Sequence, residues 1–222
     1  MTSQPASGTD APVGGVTEHW DKLYRTRDSD QFSWTQTAPA MSLRLIDRCC
    51  VGSEDAIVDV GAGDSTLVDA LLARGHREVT VLDAAPHALD RARARLINAG
   101  QATAAASVTW ETGDVLTWCP RRSYRVWHDR AVFHFLTNPA DRAAYVHLAG
   151  SAVTAGGFLI VATFAIDGPT HCSGLPVARY GPNELAAEFT PYFASLTADD
   201  EQHHTPWGAE QHFTWLVLQR RT

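Results

Sequence analysis

The feature that most constrains this chain is a short apolar run that leads into a glycine-rich loop and then into a helical pattern. Residues 56–60 are apolar except for Asp59, and Gly61 and Gly63 follow them. Apolar side chains then recur at helical spacing over 65–74. A Gly-x-Gly loop lets a ligand approach the backbone where a Cβ would block it. We therefore predict a strand, a ligand-binding loop and a helix, in this order.

Two carboxylates indicate which ligand this loop receives. Asp83 ends the next apolar run, where a carboxylate can accept both hydroxyls of a ribose. A dinucleotide site favours a further glycine where this chain has Thr66, so a pyrophosphate ligand is disfavoured. Asp59, directly before the glycines, suits a ligand with an ammonium group. S-adenosylmethionine carries a ribose and an ammonium group and has no phosphate.

With these residues the chain resembles the class I S-adenosylmethionine-dependent methyltransferases, over residues 16–222. The resemblance is carried by 59–63, by Asp83 and by 113–115, whereas Ser65 stands where the family often has a third glycine. It implies methyltransferase activity with S-adenosylmethionine as the cofactor, and it implies that Asp114 accepts the adenine amine. The predicted cofactor-binding residues are Tyr24, Trp34, Asp59, Gly61, Ala62, Gly63, Asp83, Ala84, Asp114, Val115 and His128.

Apolar runs and helical patterns alternate along the rest of the chain. Strands are expected near 56–60, 78–82, 107–111, 124–128 and 157–163, and helices near 37–49, 65–74, 86–98 and 139–154. This alternation predicts an α/β fold with a mostly parallel sheet and helices on both faces. Extended runs near 192–204 and 210–219, joined by a turn sequence, predict a C-terminal antiparallel hairpin. The expected fold class is a Rossmann-like, seven-stranded sheet that ends in this hairpin.

The chain is expected to form one domain with a short tail. Residues 1–15 are small, polar and interrupted by Pro and Gly, and we predict that they are disordered. Residues 16–222 are predicted to form a single class I methyltransferase domain, in which 16–50 are an N-terminal lid and the first helix. Trp20 and Tyr24 lie one helical turn apart there. These aromatic side chains are expected either to close over the cofactor or to pack on the edge of the sheet.

The segment 128–134, after the fourth predicted strand, carries most of the candidate catalytic side chains. Methyl transfer from a sulfonium is an in-line displacement. The protein therefore mainly positions the reactants, excludes water and supplies a base when the acceptor carries a proton. Histidine titrates near neutrality and suits that role. The predicted catalytic residues are Asp129 and His134, whereas Arg130 is equally well explained by a structural ion pair.

A long loop after the fifth predicted strand is expected to shape the acceptor pocket. It runs from 164 to 180 and contains His171 and Cys172, and long loops in compact domains are often functional. The predicted substrate-binding residues are Trp20, Phe133, His171, Cys172 and Trp207.

Composition argues against several other classes of function. The net charge is -7 and no basic stripe is present, so nucleic acid is not an expected partner. The four cysteines have no regular spacing, and adjacent His203 and His204 would point to opposite faces of a strand, so no metal site is predicted. No apolar window suits a membrane span, and no signal peptide is recognisable. A cytoplasmic enzyme is expected, and the sequence leaves its oligomeric state open.

Three hypotheses about the acceptor remain open from the sequence. The first is a small molecule with a thiol, hydroxyl or amine, enclosed by the aromatic lid and the long loop. The second is protein-lysine N-methylation, because Trp20, Asp21 and Tyr24 resemble a motif in a branch that contains protein-lysine methyltransferases. The third is a non-catalytic module that binds the cofactor and regulates a partner. The cofactor-binding aspartates are present, which disfavours the third.

Overall fold

The computed structural model describes residues 15–222, and a seven-stranded sheet forms the centre of this part of the chain. The strands are β1 (Ile57–Val60), β2 (Val79–Asp83), β3 (Thr109–Thr112), β4 (Tyr124–Arg130), β5 (Val153–Phe164), β6 (His171–Cys172), β7 (Leu175–Pro176), β8 (Phe193–His204) and β9 (Glu210–Arg220). The helices are α1 (Gly15–Thr26), α2 (Ala40–Arg48), α3 (Leu67–Ala73), α4 (Pro86–Asn98), α5 (Ala102–Ser107), α6 (Pro139–Ala152) and α7 (Pro182–Phe189). Single 3-10 turns lie at Ser29–Gln31 and Phe133–Phe135.

The predicted fold class is confirmed. The sheet order is β3-β2-β1-β4-β5-β9-β8. Strands β1 to β5 are parallel, whereas β9 runs antiparallel to both β5 and β8. The expected C-terminal hairpin is formed by β8 and β9, and β6 and β7 form a separate two-stranded antiparallel sheet.

Helices cover both faces of the sheet because side chains alternate along each strand. Ile57 of β1 belongs to the same core cluster as Leu45 of α2. The next residue, Val58, belongs to a second cluster, with Tyr145 of α6 and Leu185 of α7. The inner strands are therefore apolar on both faces, which explains why they read as nearly continuous apolar runs.

Some elements differ from the sequence-based expectations. Helix α5 was not predicted, and it delays the start of β3 to Thr109. Helix α7 was also not predicted; its eight residues are too few for periodicity to stand out, although Pro182 at its first position is a start signal. Strand β5 begins at Val153, four residues earlier than expected. The predicted tail falls on residues 1–14, which lie outside the described residues, and on Gly15, which begins α1.

The fold brings the carboxyl ends of four parallel strands to one edge of the sheet. Asp59 of β1 pairs in register with His128 of β4, and Val60 pairs with Asp129. Asp83 closes β2 opposite Thr112 of β3. Ligands of open α/β sheets bind in the crevice outside these strand ends. The functional site is therefore expected at this edge.

Candidate functional site

A cavity of about 1170 Å³ opens at this edge. Its volume exceeds the roughly 300–1,000 Å³ of a pocket for one small ligand, so it can hold a nucleoside-type cofactor and a second small molecule. The predicted site residues that line it are Trp20, Tyr24, Trp34, Asp59, Gly61, Ala62, Asp83, Ala84, Asp114, Val115, His128, His171 and Cys172.

The glycine loop connects the sheet to the N-terminal segment. Gly61 and Gly63 have φ of 62° and 57°, a left-handed conformation that favours glycine. The backbone N–H of Gly63 donates to Asp83 Oδ2 over 2.7 Å. A Cβ on Gly63 would lie 2.2 Å from the hydroxyl oxygen of Tyr24. Gly63 therefore does not line the cavity, because Tyr24, another predicted cofactor-binding residue, packs directly on it.

Asp83 is held by backbone donors at the floor of the cavity. Its second oxygen, Oδ1, accepts from the N–H of Ala85 over 2.7 Å. The pKa of Asp83 is raised to about 6, mainly by burial and to a smaller extent by the nearby carboxylates of Asp59 and Asp64, whereas the two N–H donors act in the opposite direction. Each carboxylate oxygen has a second lone pair, so Asp83 can also accept ribose hydroxyls.

A hydrogen-bonded chain crosses the cavity floor beside the glycine loop. The Nδ1 atom of His128 donates to Asp59 Oδ1 over 2.7 Å, and its Nε2 lies 3.0 Å from the hydroxyl of Ser42. All three side chains are buried and line the cavity. Both ring nitrogens of His128 are thus occupied. Sequence reasoning missed Ser42, because nothing in the pattern of α2 indicates that a serine on its buried face meets the sheet.

Asp114 lies at the far end of the glycine loop from His128. It follows β3, is half-buried, and accepts the N–H of Leu116 through Oδ1 over 2.9 Å. Val115 beside it is buried and lines the cavity. This local turn leaves Oδ2 of Asp114 available for a donor in the cavity.

Aromatic side chains of the N-terminal segment form one wall of the cavity. We name residues 15–36 the lid segment. The rings of Phe32 and Trp34 are stacked with 4.6 Å between centroids, and Trp20 meets Phe135 edge to face at 5.0 Å. The lid segment therefore packs against both the glycine loop, through Tyr24, and the turn after β4.

Polar contacts fix the lid segment to three other elements. Ser29 donates its hydroxyl to Asp64 in the glycine loop. Asp21 accepts from both the backbone N–H and the Nδ1 atom of His87 at the start of α4, over 3.1 and 2.7 Å. His203 of β8 donates from Nε2 to the carbonyl of Ser33 over 2.6 Å. His203 thus helps to hold the lid segment against β8, whereas its neighbour His204 is exposed to solvent.

Arg130, at the end of β4, borders the other end of the cavity. Its Nη1 donates to the carbonyl of Trp34 over 2.8 Å, and its guanidinium lies 5.1 Å from the ring centroid of Phe213. Cys172 lines the same end, and burial raises the pKa of its thiol to about 11. The ion pair that the sequence suggested for Arg130 is not formed, since the guanidinium is in no salt bridge with a described residue.

The structure does not bring Asp129 to the cavity, contrary to its predicted catalytic role. Its side chain is 0 % exposed and points to the opposite face of β4 from His128 and Arg130. It accepts from the N–H groups of Val132 and Phe133, over 2.8 and 3.1 Å, and from the hydroxyl of Tyr145. Asp129 therefore organises the turn after β4 from within the core.

Three further predicted residues also lie away from the cavity. His134 is fully buried between Phe135 and Phe164, and burial lowers its pKa to about 3, with Arg130 acting in the same direction. Phe133 is buried in the core under α6 and α7. Trp207 is 60 % exposed in the turn between β8 and β9. None of these side chains can contact a ligand in the cavity as the chain is folded here.

Residues 15–222 contain neither a metal-binding cluster nor a membrane-spanning helix. No group of three or more His, Cys, Asp or Glu in this range is arranged to hold a metal ion. Over the same range, no helix has the length and apolar character that crossing a membrane requires.

Comparison with known proteins identifies the type of domain. A family model described as a methyltransferase domain matches residues 57–157. No curated protein matches the chain significantly.

Solved structures share the fold over almost the whole chain. One, determined in work on the conversion of a disulfide bond into a thioacetal group during echinomycin biosynthesis, has a TM-score of 0.74 at 19% identity, covering 93% of both chains. The 1,6-didemethyltoxoflavin N1-methyltransferase of Burkholderia thailandensis, with its substrate and S-adenosylhomocysteine bound, has a TM-score of 0.70 at 18% identity, covering 96% of this chain and 94% of that one. The N-methyltransferase NodS of Bradyrhizobium japonicum WM9 has a TM-score of 0.65 at 12% identity, covering 92% and 100%. Identities this low show a common fold and do not indicate which substrate this chain binds.

Proposed function

Residues 57–157 match a methyltransferase domain, and we propose that this chain is a class I S-adenosylmethionine-dependent methyltransferase that methylates a heteroatom of a small molecule rather than a protein lysine. The whole of 16–222 acts as one methyltransferase domain in this proposal, with the lid segment as part of the site. When bound, the cofactor supplies an electrophilic methyl group on a sulfonium. The chain itself binds and orients the two reactants and excludes water from them.

The acidic residues along the sheet edge fit the polar groups of the cofactor. Asp83 would accept the ribose hydroxyls, and Asp114 would accept the adenine amine through its free Oδ2. Asp59 would hold the ammonium group while His128 fixes its orientation. All three carboxylates line one cavity, and the glycine loop between them leaves the backbone open to the ligand.

The proposal of a small-molecule acceptor rests on the positive charge at the end of the cavity near Arg130, which we call the acceptor end. The charged side chain beside Phe213 and Cys172 is the guanidinium of Arg130, which repels a lysine ammonium. The aspartate of the lysine-methyltransferase-like motif, Asp21, does not line the cavity, because it is bound to His87. Aromatic lid residues beside this end suit a small, flat molecule that is enclosed on binding.

His171 is the best-placed candidate for a base. Among the histidines of the described residues, His128 and His171 line the cavity, and both nitrogens of His128 are already hydrogen-bonded. The Nδ1 atom of His171 lies 3.1 Å from the hydroxyl of Thr170. Its Nε2 is left to accept a proton from an acceptor hydroxyl or ammonium group. This proposal replaces Asp129 and His134, which are buried in the core.

Transfer of radiolabelled methyl groups tests the proposed function. We expect transfer to members of a panel of aromatic thiols, phenols and amines, in the presence of a chelator, and no transfer to lysine-containing peptides. In the His171→Gln protein, transfer to phenols should fall by about 10²- to 10⁴-fold, whereas an acidic thiol that is already ionised should still react. Labelling of the peptides, with no small molecule labelled, would contradict the proposal.

The affinity for S-adenosylhomocysteine should depend on the charge of Asp83. The Asp83→Asn protein should bind it about 10- to 100-fold more weakly at pH 8, because a charge-assisted hydrogen bond to the ribose is lost. The pKa of Asp83 is raised to about 6 by burial, and bound hydroxyl donors favour the ionised form. Affinity should therefore fall as the pH drops below about 6, and this fall should be absent from Asp83→Asn.

Calorimetric titration between pH 5 and pH 8 measures this effect. The matched control is Asp47→Asn, which removes a carboxylate that pairs with Arg74 outside the cavity and should leave the affinity unchanged. Equal affinities of the wild-type and Asp83→Asn proteins at pH 8 would show that another group binds the ribose.

A cytoplasmic location, the absence of a nucleic-acid partner and the absence of a metal requirement stay predictions from the sequence.

A further inference from the structure

The acceptor end of the cavity contains a guanidinium that is not fully hydrogen-bonded. Arg130 uses Nη1 for the carbonyl of Trp34, and its plane is supported by Phe213. Its Nε and Nη2 atoms are buried and have no partner among the described residues. A buried donor without a partner is destabilising, and more so when it is charged. The arrangement is therefore incomplete without a ligand that accepts hydrogen bonds.

No carboxylate among residues 15–222 completes this arrangement. Glu201 is close enough to influence Arg130 electrostatically, but its two oxygens accept from Gln36 Nε2 and Trp215 Nε1, each over 2.9 Å. Asp59, the other nearby carboxylate, accepts from His128. The Nε and Nη2 atoms of Arg130 thus have no acceptor among the described residues.

A second unpartnered polar atom lines the same cavity. Oε1 of Gln211 is buried and accepts no hydrogen bond from any described residue. Gln211 lies two residues before Phe213 on β9, so the two side chains are on the same face of the sheet, about 7 Å apart along the strand. Across β5, Arg130 is in register with Trp215, two residues after Phe213, whereas Gln211 lies two residues before Phe213. The positions of Arg130 and Gln211 therefore flank Phe213 along the sheet.

We propose that Arg130 and Gln211 recognise opposite ends of the methyl acceptor, which is a flat aromatic compound with a carboxylate or carbonyl oxygen at one end and an N–H donor at the other. The oxygen accepts from Nε and Nη2 of Arg130, and the donor is received by Oε1 of Gln211. Phe213 supports the ring between them. This inference rests on the proposed function and extends it, because it specifies the class of acceptor.

Binding of matched aromatic probes to the protein loaded with S-adenosylhomocysteine tests this inference without turnover. 4-Aminobenzoate has both the oxygen and the donor, 4-methylbenzoate lacks the donor, and 4-methylaniline lacks the oxygen. We expect 4-aminobenzoate to bind at least about tenfold more tightly than either of the others, the difference typical of one hydrogen bond to a charged or buried partner. 4-Aminobenzamide, which has a neutral carbonyl, distinguishes recognition of charge from recognition of an oxygen acceptor.

Variants assign each preference to one side chain. Arg130→Met should abolish the preference for 4-aminobenzoate over 4-methylaniline, and Gln211→Leu should abolish the preference over 4-methylbenzoate while the first preference remains. The matched control is Arg125→Met: Arg125 also stacks on a phenylalanine, Phe158, at 5.0 Å and donates to one carbonyl, that of Gly156, but it lies outside the cavity. That control should bind the probes like the wild type.

The outcomes separate this inference from the proposed function. Failure to bind S-adenosylhomocysteine would contradict the proposed function. Binding of S-adenosylhomocysteine followed by equal affinities for the three probes, or by no saturable binding of any of them, would overturn the inference alone. If Arg130→Met does not fold, as circular dichroism would show, Gln211→Leu still tests the inference, because Arg130 is intact in that variant.

Discussion

The Gly63→Ala protein is expected to lose about 2–5 kcal/mol of unfolding free energy and to bind S-adenosylhomocysteine at least tenfold more weakly. About 1–2 kcal/mol comes from placing an L-residue at the φ of 57°. A further 1–3 kcal/mol comes from overlap of the new Cβ with the Tyr24 hydroxyl, only 2.2 Å away. Affinity falls because the glycine loop and the lid residue Tyr24 must move apart, and both border the cofactor end of the cavity.

Urea unfolding and calorimetry measure these losses, and two further variants separate their causes. Gly100 has a similar φ of 78°, and no atom lies within 4 Å of a Cβ placed there. Gly100→Ala should therefore lose only the unfolding free energy that comes from the positive φ. Tyr24→Phe removes the overlapping hydroxyl. The unfolding free energy lost on Gly63→Ala should therefore be smaller in the Tyr24→Phe background than in the wild type, by most of the part that comes from the overlap. Equal losses for Gly63→Ala and Gly100→Ala would show that Tyr24 does not constrain the loop.

The Asp129→Ala protein is expected to lose at least about 3 kcal/mol of unfolding free energy. Three buried donors lose their acceptor: the N–H groups of Val132 and Phe133 and the hydroxyl of Tyr145. Each buried donor left without a partner costs roughly 1–3 kcal/mol. The turn after β4 should loosen, and with it the position of Arg130, which lies directly before that turn.

The same variant decides between a structural and a catalytic role for Asp129. Tyr145→Phe removes one of the three donors, and it also leaves the buried Nε1–H of Trp127, which donates to the Tyr145 hydroxyl over 2.9 Å, without an acceptor. It should therefore cost about 1–3 kcal/mol, less than Asp129→Ala, and should leave turnover nearly unchanged. Denaturant unfolding gives the stabilities, and methyl transfer is measured at a temperature at which each variant is folded. If Asp129→Ala kept its stability within about 1 kcal/mol and lost its turnover, the catalytic assignment made from the sequence would be correct after all.

The contrast between Asp129 and its neighbours shows how far the sequence could lead at the site. The segment from 128 to 130 was identified as functional because it follows a predicted strand. Side chains alternate along a strand, so His128 and Arg130 share one face with Val126, whereas Asp129 shares the other with Trp127. A strand that is buried on both faces gives no sign in its hydrophobic pattern of which face lines a cavity. The choice of Asp129 as a catalytic residue failed for this reason.

The sequence by itself determined the features that depend on residues close together along the chain. The glycine loop, the carboxylates Asp59, Asp83 and Asp114 at strand ends, and the antiparallel hairpin were all recognisable, because strand patterning and turn chemistry are local properties. They led to the fold class and to the cofactor.

What only the tertiary structure decided is the acceptor end. Arg130 and Gln211 are 81 positions apart in the chain, and they line the same cavity because β4, β5 and β9 are neighbours in the sheet. His171 reaches the same cavity from the small β6–β7 hairpin. Such contacts depend on strand order and register, which follow from the packing of both core clusters at once. A pattern read along the chain contains no information about which distant side chains that packing brings together.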